Sequence, residues 1–311
     1  MLTQNKNKNF KILITWRFLI NDIDIYSHMF KKNDIFFDIF KTDQHAKEKD
    51  LIKIIHKYDG IICGDDELTR KVIDKAKKLR VISKWGTGID SIDKVYATKK
   101  NIKVLNSPGA FTKAVAQHAI ALMFSITRNI TFNHLDIISY NWSKRICDTI
   151  DKKNTGIIGY GKIGKEIHKN LKSFNPNFIF NDIKKIKQTN TSLKKLLKYS
   201  DIIFVACDLN NKSRNLIKLK ELKSMKKSSI IINIARGPII NNNDLIYALK
   251  NKIISFAALD VFAIEPIKKN SEFLKLQNCI FTSHNAFNSK ENIDKINLAS
   301  VNNLIKYLRS I

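Results

Sequence analysis

The chain has few cysteines, and no two of them have a spacing that indicates a shared site. Cys63, Cys147, Cys207 and Cys279 are scattered over 311 residues without a CxxC pair, and three lie within or beside apolar runs. Zinc sites and the disulfide frameworks of small secreted domains need clustered or regularly spaced cysteines. We therefore expect no metal site and no disulfide frame, and predict reduced thiols that mostly fill space in a core.

Long apolar runs are also missing. No stretch is long enough to cross the hydrocarbon core of a bilayer, and the start, MLTQNKNKNF, lacks the apolar segment of a secretory signal. We therefore expect a soluble, cytoplasmic protein with no membrane partner. The length allows two domains and a large buried core.

Acidic residues are scarce relative to basic ones. The chain has 28 Asp and Glu against 55 Lys and Arg, a formal net charge of +27. One interpretation is a polyanionic partner such as nucleic acid. The other is heavy use of Lys, Asn and Ile throughout the chain, with lysines dispersed over solvent faces. We favour the second and expect no nucleic-acid partner, because no recognition motif accompanies the charge. A positive field would still attract a small anionic substrate.

Residues 155–182 have the order strand, tight turn, helix, strand. An apolar run leads into three glycines spaced GxGxxG. In a dinucleotide-binding turn, the first glycine permits a sharp bend, the second a close approach to pyrophosphate, and the third close packing of helix on strand. The helix then directs its positive end at the phosphates. The predicted cofactor-binding residues here are Gly159, Tyr160, Gly161, Lys162, Ile163, Gly164 and Asp182.

Asp182 indicates which dinucleotide is bound. It ends the second strand of this unit, where the fingerprint places a carboxylate that accepts hydrogen bonds from a ribose diol. This position predicts NAD. Lys184 and Lys185 follow and could accept a 2′-phosphate, so some use of NADP stays open.

Strand and helix patterns alternate along most of the chain, which predicts an α/β fold with parallel, doubly wound sheets. We expect a Rossmann cofactor domain over residues 101–285, and a discontinuous, flavodoxin-like substrate domain over residues 1–100 and 286–311. In this scheme the last helix, residues 290–308, returns to the first domain. Residues 112–129 form a buried helix, and residues 130–153 form a polar, irregular surface arm.

Three polar residues follow predicted strands of the second half: Arg236 in INIARGP, Glu265 in ALDVFAIEP and His284 in TSHNA. The ends of parallel strands meet at a ligand crevice. An arginine can hold a carboxylate as a planar fork, a histidine can exchange a proton near neutral pH, and a carboxylate can orient that histidine. Singly, each could be a turn residue, a solvated loop residue or a helix cap. Together, after a dinucleotide fold, they favour hydride transfer to or from a 2-hydroxy acid.

The sequence resembles the D-isomer-specific 2-hydroxyacid dehydrogenases from about residue 81 to the end. The motifs that carry the resemblance are ISKWGTGIDSID, NSPGAFTKAVAQHAIAL, GIIGYGKIG, CDLNNKSRNLI, MKKSSIIINIARGPIINNNDLIYALK, ALDVFAIEP and TSHNA. The resemblance implies a two-domain enzyme with the active site between the domains, usually a homodimer joined through the cofactor domain.

The same resemblance implies roles for individual residues. Arg236 would bind the substrate carboxylate, His284 would be the acid/base, and Glu265 would support it. Asp260 would contact the nicotinamide amide, and Ala235 would lie at the cofactor. Backbone amides around Thr87 and Gly88 would help to hold the substrate. The chain departs from the family pattern at three positions, which are Gln117, Asp208 and Ser283.

The substrate is less well specified. ISKWGTGID resembles the phosphoglycerate dehydrogenase branch, in which a basic residue at the place of Lys84 helps to bind the substrate phosphate. Lys84 could equally be one more solvated lysine, and Arg17 is a second candidate. We expect 3-phosphoglycerate/phosphohydroxypyruvate first and glyoxylate or hydroxypyruvate reduction next. An unusual acid and a non-catalytic NAD(H)-sensing protein of the same fold are the further alternatives. No effector-binding module is expected after Ile311.

Overall fold

The computed structural model describes residues 9–184 and 190–311, and these divide into two compact units. The first unit comprises Met1–Phe111 together with Ser289–Ile311, and the second comprises Thr112–Asn288. Each unit has its own parallel sheet. The predicted α/β class with two parallel-sheet domains is therefore confirmed.

The described residues contain eleven strands and twelve α-helices. The strands are β1 (Phe10–Ile14), β2 (Ile35–Ile39), β3 (Gly60–Cys63), β4 (Val81–Lys84), β5 (Lys103–Leu105), β6 (Asn154–Ile158), β7 (Asn177–Asn181), β8 (Ile202–Val205), β9 (Ile230–Asn233), β10 (Phe256–Leu259) and β11 (Cys279–Phe281). The helices are α1 (Arg17–Asn21), α2 (Ile23–Lys32), α3 (Glu48–Ile54), α4 (Arg70–Lys75), α5 (Lys94–Lys99), α6 (Thr112–Thr127), α7 (Ile130–Ile138), α8 (Lys162–Leu171), α9 (Leu193–Tyr199), α10 (Leu219–Lys223), α11 (Asn242–Lys250) and α12 (Lys290–Arg309). Within the described ranges, no helix is apolar over a sufficient length to pass through a bilayer.

The sheet of the first unit has the flavodoxin-like order β2-β1-β3-β4-β5. Its inner strands are apolar runs buried on both faces, as parallel sheets covered by helices require. The helix α12 supplies Val301, Leu304 and Leu308 to the core on one side of this sheet, where they pack with Phe10 and Ile12. The last residues of the chain therefore complete the core that its first strand begins.

The boundary between the units differs from the predicted one. We predicted a division after residue 100, but β5 pairs in parallel with β4 and belongs to the first sheet. The first unit therefore extends to Phe111, and the second ends at Asn288. An apolar run does not show which of two sheets it will join, which is why the sequence misplaced this strand.

The sheet of the second unit has the order β7-β6-β8-β9-β10-β11. Its central strands are continuous apolar runs with buried side chains, and helices pack against both of its faces. The order changes direction between β6 and β8. In an open parallel sheet, the crevice at such a switch point is where ligands bind.

The predicted irregular arm is in part a helix. Asn129 has a left-handed backbone (φ 52°) that separates α6 from α7, and α7 extends to Ile138 before the irregular segment that leads to β6. No residue of α7 is buried. The prediction was wrong for residues 130–138, because a helix whose apolar side chains find no core in its own unit lacks the usual two-sided pattern.

Candidate active site

The glycine-rich turn after β6 requires glycine at two positions for clear geometric reasons. Gly159 has φ +92°, and a Cβ there would lie 2.5 Å from the backbone nitrogen of Cys207, the second residue after β8. A Cβ on Gly164 would lie 2.1 Å from the carbonyl oxygen of Gly159. The middle glycine, Gly161, is different, because a Cβ there would meet nothing within 4 Å. That open side is where a bound group could approach the backbone.

The turn and the helix after it have the features of a dinucleotide site. Gly161 is the N-cap of α8 and gives no side-chain cap, and Lys162 and Ile163 form the first turn of this helix. Its first amides therefore face outward as donors for a phosphate. Asp182, after β7, accepts hydrogen bonds from the amides of Tyr160 (2.7 Å) and Lys184 (2.7 Å). These residues fit NAD. Lys185, proposed as a contact for a 2′-phosphate, lies outside the described residues.

Tyr160 links this turn to a histidine that the sequence did not single out. Its hydroxyl lies 2.6 Å from Nδ1 of His168 on α8, and its ring packs against Phe180 at 4.5 Å between centroids. Burial, with a smaller contribution from Lys172, lowers the pKa of His168. The hydroxyl can donate to or accept from this nitrogen, and in either case the hydrogen bond fixes the side chain in the middle of the turn.

His284 and Glu265 form a direct pair at the other side of the same unit. Nδ1 of His284 lies 2.8 Å from Oε2 of Glu265, whose Oε1 accepts the amide of Phe262 at 2.7 Å. A carboxylate only accepts hydrogen bonds, so Nδ1 of His284 carries a proton and donates it. Nε2 is then the nitrogen that exchanges a proton with a ligand. The carboxylate also stabilises the imidazolium that such an exchange produces.

The backbone of His284 has an uncommon conformation. Its φ is +53°, in the left-handed region that costs a non-glycine residue on the order of 1–3 kcal/mol. The amide of His284 donates to the carbonyl of Asp260 at 2.7 Å. Such strain persists only where surrounding contacts enforce it, and it is typical of functional sites.

Arg236 lies on a loop that packs against the loop of Glu265. Asn233, buried at the end of β9, braces the Arg236 loop by donating to the carbonyl of Arg236 (3.1 Å) and accepting the amide of Ala235 (3.1 Å). A Cβ on Gly237 would lie 1.9 Å from the backbone carbon of Phe262, so the two loops are in backbone contact.

Arg236 and His284 follow β9 and β11, which are separated in the sheet by β10 alone. Neighbouring strands are about 4.8 Å apart, so these strand ends lie roughly 10 Å from each other. The side chains of Arg236 and His284 could therefore both reach one small acid placed between these strand ends. The arrangement offers a bidentate cation for a carboxylate and a proton-exchanging imidazole for an adjacent oxygen.

Asp260, the predicted nicotinamide contact, is hydrogen-bonded within the turn that carries His284. It is fully buried, and its carboxylate accepts hydrogen bonds from the hydroxyl of Thr282 (2.6 Å) and the amides of Asn285 (2.8 Å) and Ala286 (3.1 Å). Burial raises the pKa of Asp260, but hydrogen bonds from His118, Thr282 and the amide of Asn285 keep it below its ordinary value. The structure therefore places this carboxylate in the turn around His284, and its contact with the nicotinamide stays a prediction.

Lys84, the predicted phosphate contact, is buried next to a carboxylate. The residue is only 4% exposed, and its ammonium contacts a carboxylate oxygen of Asp65 (3.1 Å) and the carbonyl of Trp85 (3.0 Å). Its charge is therefore already balanced inside the first unit. Arg17, the other candidate, is exposed at the start of α1 with its guanidinium 5.0 Å from the centre of the Phe18 ring.

Thr87 and Gly88 follow β4 in a loop that is tied down from one side. The carbonyl of Thr87 accepts the side-chain amide of Asn106 (2.7 Å), and its hydroxyl donates to the carbonyl of Ser107 (3.1 Å). Within the described part of the chain, the backbone amides of Thr87 and Gly88 donate to no protein acceptor. The role of these two amides in holding the substrate stays a prediction.

Comparison with known proteins places the fold and the glycine-rich turn in a class of NAD-binding oxidoreductases. The sequence profile of "D-isomer specific 2-hydroxyacid dehydrogenase, NAD binding domain" matches residues 120–286. A glyoxylate reductase of Thermofilum pendens is 32% identical over 282 residues, which cover 86% of this chain and 83% of that protein. The chain belongs to the D-isomer-specific 2-hydroxyacid dehydrogenase family, and is an NAD-dependent D-2-hydroxyacid dehydrogenase.

Two further similarities bear on the substrate and the fold. A D-3-phosphoglycerate dehydrogenase of Methanocaldococcus jannaschii is 36% identical over 256 residues, which cover 79% of this chain but 49% of that protein. The structure of a D-lactate dehydrogenase from Aquifex aeolicus, complexed with NAD and lactic acid, has a TM-score of 0.87 at 23% identity and matches 96% of both chains. The first shows that relatives with different substrates are similarly close, and the second shows the shared fold.

Proposed function

We propose that this dehydrogenase reduces a small, unphosphorylated 2-keto acid, glyoxylate or hydroxypyruvate, with NADH. The observation that carries the choice is the ion pair between the buried ammonium of Lys84 and the half-exposed carboxylate of Asp65. It reverses the order expected from the sequence, in which phosphohydroxypyruvate came first. The similarity to a glyoxylate reductase supports the same choice.

The pair argues against a phosphate ligand on electrostatic grounds. An ammonium that binds a phosphate contributes most when no other anion balances it, and Lys84 already has a carboxylate at 3.1 Å. A phosphate dianion at this place would also lie close to the charge of Asp65, and like charges at such a distance repel. To bind a phosphate, the ammonium would also have to give up its contact with this carboxylate.

The described side chains support the chemistry of such a reduction. Arg236 holds the substrate carboxylate through two parallel N–H···O bonds and so fixes the orientation of the keto group. His284, protonated on both nitrogens, donates the Nε2 proton to the ketone oxygen, while Glu265 keeps the ring in place through Nδ1. Bound NADH supplies the hydride that makes the ketone carbon an alcohol carbon. In the oxidative direction neutral His284 accepts the hydroxyl proton.

A panel of keto acids tests the proposal. Glyoxylate, hydroxypyruvate, pyruvate and phosphohydroxypyruvate are each assayed by the loss of NADH absorbance, and again with NADPH. We expect kcat/KM for glyoxylate or hydroxypyruvate to exceed that for phosphohydroxypyruvate by at least about tenfold, and NADH to be preferred over NADPH. A preference for phosphohydroxypyruvate would contradict the proposed substrate. No NADH consumption on any acid would contradict catalysis itself.

We also propose that the protein forms a homodimer through α7 and the segment after it. The apolar side chains of this face are exposed: Ile130, Leu135, Ile137, Ile138, Tyr140, Trp142 and Ile146, the last two at 82% and 97%. A patch of this composition indicates a protein interface. The segment is held in shape by Arg145, which donates to both oxygens of Asp136 at 2.7 and 2.9 Å. A second copy fits because the sequence resemblance implies a dimer joined through this unit.

Removing this apolar face should weaken the dimer. We expect the double variant Ile138→Ser/Trp142→Ser to raise the dimer dissociation constant by at least roughly 100-fold, because a buried Trp at an interface contributes 2 kcal/mol or more. Analytical ultracentrifugation over a concentration series measures the change. The matched control is Val95→Ser, which removes an apolar side chain that is 70% exposed on α5. A monomeric wild-type protein, or an unaffected double variant, would contradict the proposed dimer.

A further inference from the structure

We propose that His118 and Thr282, acting through Asp260, hold the turn that presents His284, and are positioning residues for its proton transfer. The inference rests on the proposed function, because it assigns residues to the reaction of the same site. All four residues lie in the second unit. His118 is on α6, while Asp260 and Thr282 directly follow β10 and β11.

Asp260 is the centre of this arrangement. Its backbone carbonyl accepts the amide of His284 (2.7 Å), and its carboxylate accepts the next two amides, of Asn285 (2.8 Å) and Ala286 (3.1 Å). Three consecutive amides therefore point at one buried residue. These three hydrogen bonds are surrounding contacts of the kind that can maintain the left-handed backbone of His284.

The carboxylate itself is held by Thr282 and His118. The hydroxyl of Thr282 lies 2.6 Å from Oδ1 of Asp260, and Nε2 of His118 lies 3.0 Å from the Thr282 oxygen and 3.5 Å from the same Oδ1. A carboxylate only accepts, so the Thr282 proton is directed to Asp260. The Thr282 oxygen must then accept from His118, which assigns a proton to Nε2 of His118.

The chain of donors has a specific kinetic consequence. Arg236 is on another loop, and the glycine-rich turn follows β6, so neither is hydrogen-bonded to Thr282 or His118 in the contacts described above. Loss of the hydrogen bonds that Thr282 and His118 make around Asp260 should let the turn relax and displace Nε2 of His284. A displacement of about 1 Å in a reacting group can lower the rate roughly 100-fold without weakening binding. We expect kcat to fall while the Kd for NADH and the KM for the keto acid stay within about twofold.

Matched threonine variants test this inference. Thr282→Val removes the hydroxyl in a side chain of the same shape, and Thr282→Ser retains it. We expect kcat to fall by roughly 10- to 100-fold in Thr282→Val and to recover in Thr282→Ser. The control is Thr127→Val on α6, which removes a buried hydroxyl that has no hydrogen-bond partner among the described residues. Glyoxylate reduction and NADH fluorescence titration are measured for each, with Tm as a check of folding.

The histidine provides a second, independent test. His118→Leu should lower kcat in the same way, and His118→Gln should recover most of it, because a glutamine amide can replace the Nε2 donor. Imidazole ¹⁵N NMR of the wild-type chain should show His118 protonated on Nε2, and the His284 signals should shift in Thr282→Val but not in Thr127→Val. The NMR measurement needs no activity and remains informative if a Thr282 variant folds poorly.

The possible outcomes separate this inference from the proposed function. Unchanged kcat and unchanged His284 signals in both Thr282→Val and His118→Leu would overturn the positioning role. So would a loss of NADH affinity with unchanged kcat, since Asp260 would then serve the cofactor. If the wild-type chain reduces no keto acid, the proposed function fails. The NMR signals of His284 then decide whether Thr282 and His118 hold the turn.

Discussion

Replacing His284 by asparagine is expected to lower kcat for keto-acid reduction by about 1,000-fold, with the Kd for NADH unchanged. The size of this decrease follows from the loss of a positioned acid/base group, which typically raises the rate 10²- to 10⁴-fold. Asparagine is the informative substitution because it tolerates the left-handed backbone found at this position (φ +53°). The loss then reports proton transfer, since the turn itself is preserved.

Stopped-flow or steady-state loss of NADH absorbance measures this change, together with fluorescence titration of NADH. The matched control is His28→Asn, at an exposed histidine on α2 in the first unit, which should retain wild-type kcat. Wild-type kcat in His284→Asn would remove His284 from the mechanism. An equal loss in the control would mean that the assay reports folding.

Replacing Arg236 by lysine is expected to lower kcat/KM by roughly 10- to 100-fold, with a large part of the loss in KM. Lysine retains the positive charge but has a single ammonium in place of the planar fork, so one of two parallel hydrogen bonds to the carboxylate is lost. Hydrogen bonds to charged groups contribute about 1.5–3 kcal/mol each, which corresponds to the expected factor. Because Arg236 would bind the carboxylate in the substrate and in the transition state alike, the substitution should raise KM.

Steady-state kinetics with glyoxylate distinguish this effect from a loss of fold. Arg214→Lys is the control, at an exposed arginine in the same unit, and should leave kcat/KM within about twofold of wild type. The more severe Arg236→Met should lower kcat/KM further, because it also removes the charge. An Arg236→Lys enzyme with wild-type KM would show that another group binds the carboxylate.

Much of the second unit could be predicted from the sequence because its signals are local. The strands β6 to β11 are short runs made mostly of apolar residues, and the GxGxxG spacing follows β6 directly. The pairing of His284 with Glu265 also followed from chemistry, since an imidazole beside a carboxylate is a recurrent arrangement.

The structural features that the sequence did not predict depend on partners far away in the sequence. Lys84 is paired with Asp65 from the preceding strand end, and Asp260 is enclosed by Thr282 and by amides after His284. Neither the composition nor the spacing shows which carboxylate an ammonium will meet. The same limit explains β5, which the sequence located as a strand but assigned to the wrong sheet.

The position of α12 has a consequence for synthesis on the ribosome. Residues 112–288 emerge as one continuous segment and can fold while the chain is still being extended. The apolar side chains of β1 are made long before Leu304 and Leu308, so they lack these core partners until α12 has been synthesised. Nascent chains arrested shortly before α12 should therefore expose an apolar surface of the first unit to chaperones, although the second unit, which carries the glycine-rich turn, can already be folded.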